Sequence, residues 1–452
     1  AIPIASGAGL KAALAKPGLR LALLQGVVFA ATFAKEMALT AAFGLGAFMD
    51  AYTLVNNALI FSRSYFEQLG YGLLVPAAAQ TSTPLTDDRR PPGASGDPSL
   101  RPSVERILAW MTFGTLAVSL GLLALAPWVA VALAPGASGE RMGWLAFLCL
   151  WMLPACLAFQ GAEALRCLCL QERRFMLYQG PRLVGLLGFV AIFALAYPHW
   201  GAVALVVAMV ATHGFEWFAY ARGLGLAAFP RPRWADLAPL LRQLGPVSLA
   251  WFVFYAGPMV DNAFLAGLPA GEPGAFRYAQ VSVLIVAGLT LNNLAATSLS
   301  GLNAHCGQGR YAQAEADLWR IGAQSLAWGI PIALLGGLAA SWAVRLMFER
   351  GAFGPEDTER VAACFQVFLW QLPALALWRP LSSCFYTLGL FKPLVGIGLA
   401  ALALRLGMNA WGVELSGLQG LCWATTANGI SLSLGCGVYL WAWMRRRPSL
   451  AD

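Results

Sequence analysis

Runs of about 20 or more consecutive, predominantly apolar residues recur along this chain, and few features narrow a fold further. Such a run is long enough to cross the hydrocarbon of a bilayer as an α-helix. Within hydrocarbon a backbone must satisfy its own hydrogen bonds, so only helices and closed barrels span it. A barrel would show segments of about ten residues with alternating polarity; the runs here are longer and unbroken, so the expected spans are helices. Composition points the same way. Of 452 residues, 59% are hydrophobic and 12% charged, about half the charge density of a soluble domain. An ordinary soluble enzyme and a disordered chain are both excluded.

The pattern predicts twelve spans, at 19–43, 47–66, 104–134, 142–170, 175–197, 200–222, 240–268, 274–303, 316–348, 358–388, 391–412 and 417–443. The one long polar connection is residues 80–103, rich in Pro, Gly and Ser, as a loop requires. Lys and Arg set the orientation, because they accumulate on the cytoplasmic side. With a cytoplasmic N-terminus, 21 of the 30 fall on the inner side and 5 on the outer. The other four (Lys35, Arg63, Arg379 and Arg405) lie within spans. Both termini are therefore expected in the cytoplasm, which an even span count allows. The net charge of +8 then reflects inner loops rather than a nucleic-acid surface. The nine cysteines are scattered without metal spacing and read as small apolar side chains. The sequence opens at Ala1 without Met, which reads as the loss of a few residues, and no cleavable signal peptide is evident.

Two short motifs recur in the same order. Gly46-Ala47-Phe48 returns as Gly274-Ala275-Phe276, 228 residues later. Leu150-Trp151-Met152-Leu153-Pro154-Ala155 returns as Leu369-Trp370-Gln371-Leu372-Pro373-Ala374, 219 residues later. The expected architecture is thus an all-α polytopic membrane protein made of two parallel six-helix repeats. Residues 1–230 would form the first half and 231–452 the second, around a central cavity. Parallel repeats related by an axis along the membrane normal are a transporter architecture, so transport is the function implied.

Ionisable side chains inside a bilayer are costly and mark function by default. The first two spans carry Lys35, Glu36, Asp50 and Arg63, with Asn56 and Asn57 between the last two. Thirteen residues separate Asp50 from Arg63, about 20 Å of helix, so they lie at different depths. Lys35 and Arg63 suit an anionic substrate, since the arginine fork binds phosphate bidentately. The alternative is internal pairing, for instance Lys35 with Asp50. In the second half, Asp261 follows the helix-breaking Pro258, and a carboxylate beside freed carbonyls is a candidate sodium or proton site. Glu163, Glu216 and Arg379 are further interior candidates.

The stretch Phe33-Ala34-Lys35-Glu36, followed by Phe43-Gly44-Leu45-Gly46 and Asp50-Ala51-Tyr52, resembles the start of MurJ/MviN proteins. These are lipid II flippases of the multidrug/oligosaccharidyl-lipid/polysaccharide (MOP) exporter superfamily. Their first span carries Phe-Ala-Arg-Asp, then Phe-Gly-x-Gly and Asp-Ala-Phe at the same spacing. Val75-Pro76, Gly245-Pro246 and the Leu346–Phe353 stretch look like later family elements. The resemblance implies the MOP flippase fold, no enzyme activity and a bacterial inner-membrane location. It also implies that Lys35, Asp50 and Arg63 line the substrate cavity, to which Glu36, Asn57 and Arg277 are added as further substrate-binding candidates. Asp261 resembles the family's sodium ligand, with Asn409 and Thr425 completing that site. No organic cofactor is implied; sodium, a proton or the membrane potential would drive the cycle.

Two departures follow. The lipid II group has an arginine in span 8, in Tyr-Ala-Asp-Arg; here the stretch is Tyr278-Ala279-Gln280-Val281, with Arg277 a partial replacement. That group also has fourteen spans against twelve here. The favoured substrate is therefore an undecaprenyl-diphosphate-linked exopolysaccharide unit, with lipid II as the alternative. Membrane lipids and other polysaccharide or cell-wall synthesis proteins are the expected partners. A cation-coupled multidrug exporter would want an anionic cavity, and a membrane polymerase or glycosyltransferase a larger outer domain. A non-transporting scaffold of a polysaccharide complex is the last alternative.

Overall fold

The computed structural model describes residues 17–57, 109–110, 113, 139–171, 174–226, 233–234, 249, 252–253, 256–291 and 301–446. Among them every regular element is a helix. Five helices are long and apolar enough to cross a membrane, and up to seven if each bent pair counts as one span. Their outward faces are apolar. In Tyr311–Leu338 only 22% of the most apolar window is buried, and Leu195, Leu338, Trp342 and Trp411 stand on the surface. Water would penalise such faces; hydrocarbon does not.

The chain packs as two units: residues 1–38, 62–124 and 150–244 in the first, and 39–61, 125–149 and 245–452 in the second. In the first, helix α1 (Pro17–Phe43) contributes Val28 and Ala31, which pack on Leu186. Helices α3 (Leu153–Gln171), α4 (Phe175–Trp200) and α5 (Val203–Leu224) pack together around Ala162, Leu165, Leu168, Cys169, Tyr220 and Ala221. Gly161 makes this approach close: a Cβ there would fall 2.9 Å from the Trp217 ring.

The second unit contains residues 47–57, which are helical, and most of α2 (Gly139–Trp151). It continues with α6 (Gly257–Leu265), α7 (Glu272–Leu289), α8 (Tyr311–Leu338), α9 (Ala340–Phe348), α10 (Pro355–Leu369), α11 (Leu372–Thr387) and α12 (Phe391–Arg445). α7 packs on α10, α8 on α11, and both α6 and α11 on α12. Cys306, Ile321, Cys384, Phe385, Leu394 and Leu440 lie in its core.

α12 is two spans. Ser416 and Gly417 leave helical geometry, with Gly417 at φ 56°, a value that favours glycine. The halves then run against each other so closely that a Cβ on Gly412 would sit 2.5 Å from the Gly420 carbonyl oxygen. Small residues allow this backbone approach in membranes. The break matches the expected gap between spans 391–412 and 417–443.

The repeated Leu-Trp-x-Leu-Pro-Ala motif also has a structural meaning: both copies sit at a helix break. Met152 separates α2 from α3. Trp370 and Gln371 separate α10 from α11, where the axis turns by 55°. Proline lacks an N–H and fits the first turn of a new helix, which is where Pro373 stands. The expected continuous spans 142–170 and 358–388 are thus broken ones.

Candidate functional site

The second unit gathers most of the expected site residues along residues 47–57. Asp50 is fully buried. Its Oδ2 accepts a hydrogen bond from the Gly271 amide at 2.8 Å and its Oδ1 one from the Gly274 amide at 3.0 Å. These amides open α7, whose own N-terminal residue offers no capping side chain. Asp50 therefore caps a helix 221 positions away in sequence, and a carboxylate is favoured at that positive end. Gly271, at φ 89°, turns its amide into place. Arg141 completes the junction: one nitrogen lies 3.3 Å from Asp50 Oδ2, and another donates to the carbonyls of Ala266 and Leu268 at 3.0 Å each.

Two residues further on, Tyr52 packs its ring 4.9 Å from the guanidinium of Arg277, which also lies 5.3 Å from Tyr278. Arg277 is buried, so the two aromatic faces stabilise a cation drawn out of water. Asn57 donates Nδ2 to Asn262 Oδ1 at 2.8 Å, and Asn262 donates to the Leu54 carbonyl at 2.8 Å. This amide pair joins 47–57 to α6.

Beside Asn262 stands Asp261, buried and faced by Arg405 of α12. Arg405 Nε donates to Asp261 Oδ1 at 2.8 Å, and its Nη2 bonds the other carboxylate oxygen. Asn409, one turn after Arg405, donates Nδ2 to Oδ1 at 2.8 Å. Arg405 is the residue that sequence reasoning missed. Its signal is the four-residue spacing to Asn409, which puts both on one helix face. Arg141, Asn262 and Gly271 were missed as well, and no local motif marks them. Thr425 is buried, and its hydroxyl has no hydrogen-bond partner among the described residues.

The first unit holds Lys35 and Glu36. Lys35 Nζ lies 3.3 Å from Glu36 Oε1 and 5.5 Å from the centre of the Phe189 ring. Glu163 binds Arg166 at 2.7 Å, and Glu216 lies 3.2 Å from His213 Nδ1. Lys35 thus pairs with Glu36, and Asp50 with Arg141. Arg63 lies outside the described residues, as do loop 80–103 and the side chain of Arg379. The structure brings Asp50, Asn57, Arg277, Asp261 and Asn409 into adjoining networks of one unit, and Lys35 with Glu36 into the other. Among the described residues, no three His, Cys, Asp or Glu side chains group as a metal site.

A sequence profile described as "Lipid II flippase MurJ" matches residues 100–452. A solved structure of the lipid II flippase MurJ in an inward-closed conformation superposes with a TM-score of 0.79 at 14% identity, covering 94% of this chain and 87% of that one. An inward-facing multidrug-resistance MATE family transporter of the MOP superfamily gives 0.66 at 13% identity, covering 94% and 98%. These two likenesses speak for the fold, which is that of the MOP transporters. Multidrug and toxin extrusion protein 2 of Mus musculus is 30% identical over 217 residues, 46% of this chain. The matched stretch is 36% of the mouse protein, so the chain spans about a third of that relative's length.

Proposed function

The chain belongs to the lipid II flippase MurJ family, and from that premise we propose that it carries an undecaprenyl-diphosphate-linked glycan from the cytoplasmic to the outer leaflet of the bacterial inner membrane. It is a multi-pass membrane transporter rather than an enzyme. The observation that carries the reading is the family match over residues 100–452. The buried Arg277 and half-buried Lys35 agree with it, because a diphosphate needs charge-assisted donors where water is scarce. Lys35, Arg63 and Arg277 hold the diphosphate, and Asn57 a sugar. Glu36 and Asp50 complete the polar lining by fixing Lys35 and the turn at Gly271. The sequence halves 1–230 and 231–452 rock to expose the substrate to each side in turn. The excess of Lys and Arg on one set of loops supports cytoplasmic termini. Membrane lipids surround the tail, and other polysaccharide or cell-wall synthesis proteins supply and use the glycan.

An exopolysaccharide repeat unit is favoured because Val281 stands where lipid II flippases place an arginine. Lipid II is the second reading, favoured by the family's own description. The test is precursor flipping in proteoliposomes, read as outward exposure of the lipid-linked sugar. Loss of one charge-assisted contact is worth about 1.5–3 kcal/mol. Lys35→Ala and Arg277→Ala should each slow flipping about 10- to 100-fold while the protein still melts cooperatively. Normal flipping by both variants would remove these residues from the site. Competition between lipid II and a lipid-linked exopolysaccharide unit decides the substrate.

A further inference from the structure

A lone ionised carboxylate in an apolar bundle is costly. Asp261 is almost wholly buried, at 1% exposure, so something must neutralise it. The sequence alone suggests a bound ion. The geometry supplies a covalently held cation instead. Arg405 grips both carboxylate oxygens, through Nε at 2.8 Å and through Nη2, the bidentate arrangement that is strongest for this pair. Asn409 adds a third bond, on Oδ1 at 2.8 Å.

The site has been given room for that guanidinium. A Cβ on Gly257 would meet Arg405 Nη1, so glycine as the first residue of α6 lets the guanidinium lie there without shifting. The remaining oxygens are unspent. Asn409 Oδ1 and Thr425 Oγ1 are buried without a hydrogen-bond partner among the described residues. Two contacts fix the register of the antiparallel halves of α12: Gly412 meets Gly420, and Asn428 Nδ2 donates to the Ala401 carbonyl at 2.6 Å. That register puts Thr425 level with Arg405. Asp261 and Asn409, with Thr425 at the same level on the facing half of α12, thus offer oxygens of the kind a hard cation prefers, and a guanidinium already sits on the carboxylate.

We infer that Arg405 is a tethered substitute for a coupling ion, so that the second unit carries its own cation and binds no sodium at Asp261. The residues present do not fit a sodium ion while the arginine holds both Asp261 oxygens. Removal of the arginine side chain creates the ion site that its presence fills. This inference concerns ion binding and is independent of which glycan is moved.

The test uses the purified full chain in detergent. Its melting is followed in sodium, potassium and N-methyl-D-glucamine chloride at equal ionic strength, together with direct ²²Na⁺ binding. The intact protein should melt at one temperature in all three salts and bind no ²²Na⁺. Arg405→Asn should melt lower than the intact protein in the organic cation, be raised by several degrees in sodium, and bind one ²²Na⁺ per chain. Asp261→Asn/Arg405→Asn, which lacks both charges, should lose the sodium response. Should Arg405→Asn fail to fold in every salt, Arg405→Gln, which keeps most of the side-chain length without the charge, takes its place and should acquire the same sodium response. Specific stabilisation of the intact protein by sodium overturns the inference. So does a folded Arg405→Asn, or in its place Arg405→Gln, that is indifferent to sodium.

Discussion

At Asp50 one carboxylate joins three stretches of chain: its own helix, the turn into α7 and, through Arg141, the end of α2 with the carbonyls after α6. Asp50→Ala leaves the half-buried Arg141 without its nearest carboxylate and α7 without its cap. Breaking a buried pair in this way costs about 3–5 kcal/mol. Asp50→Asn keeps one acceptor and should cost less, about 1–3 kcal/mol. Thermal melting of both variants in detergent checks the order; equal melting of Asp50→Ala and the intact protein would show that the junction contributes nothing. The sequence reveals that Asp50 is an interior charge, because the flanking run is apolar. It cannot reveal the partners, since a contact with Gly271 and Gly274 is made with backbone amides, which every residue carries. Arg405 escapes for another reason. It belongs to no motif, and only the face it shares with Asn409 singles it out.

Among the elements, the two breaks of the second unit are built differently. At Trp370–Gln371 the chain turns by 55° and restarts on Pro373, and α8 accommodates the ring through Gly329, where a Cβ would fall 2.7 Å from it. At Ser416–Gly417 the helix reverses and its halves close on Gly412 and Gly420. A methyl group on Gly420 has nowhere to go but into the Gly412 backbone, and overpacking of this kind costs about 1–3 kcal/mol. Gly420→Ala should lower the melting temperature by several degrees, whereas Gly396→Ala, which meets nothing within 4 Å, should leave it unchanged. Apolar runs and their interruptions made the second break legible to within a few residues. The first is legible only as a repeated motif. Hydropathy does not dip at Leu-Trp-x-Leu-Pro-Ala, so a pattern-based reading runs straight through the bend.

Over the whole molecule, hydropathy and charge asymmetry carry the fold class, because both are summed over hundreds of residues and tolerate local error. Packing partners do not emerge from such sums: the grouping of residues 39–61 and 125–149 with 245–452 depends on contacts such as Asn57–Asn262. Orientation is testable at this scale. A fluorescent protein fused after Asp452 should fold and fluoresce, and alkaline phosphatase at the same point should stay inactive. The reverse result would invert every loop assignment drawn from the Lys and Arg count.

The clasp between Asp50 and α7 also has a history in time. The 221 residues between Asp50 and Gly271 take the ribosome roughly 10–45 s to make, at about 5–20 residues per second. Until then the carboxylate has no Gly271 or Gly274 amide to accept from, and Arg141 arrives only part of the way through. A charge within a span is costly to insert, so the nascent helix around Asp50 waits through that interval with its carboxylate uncompensated. The helix around Asp50 therefore completes its contacts only once the start of α7 has been made.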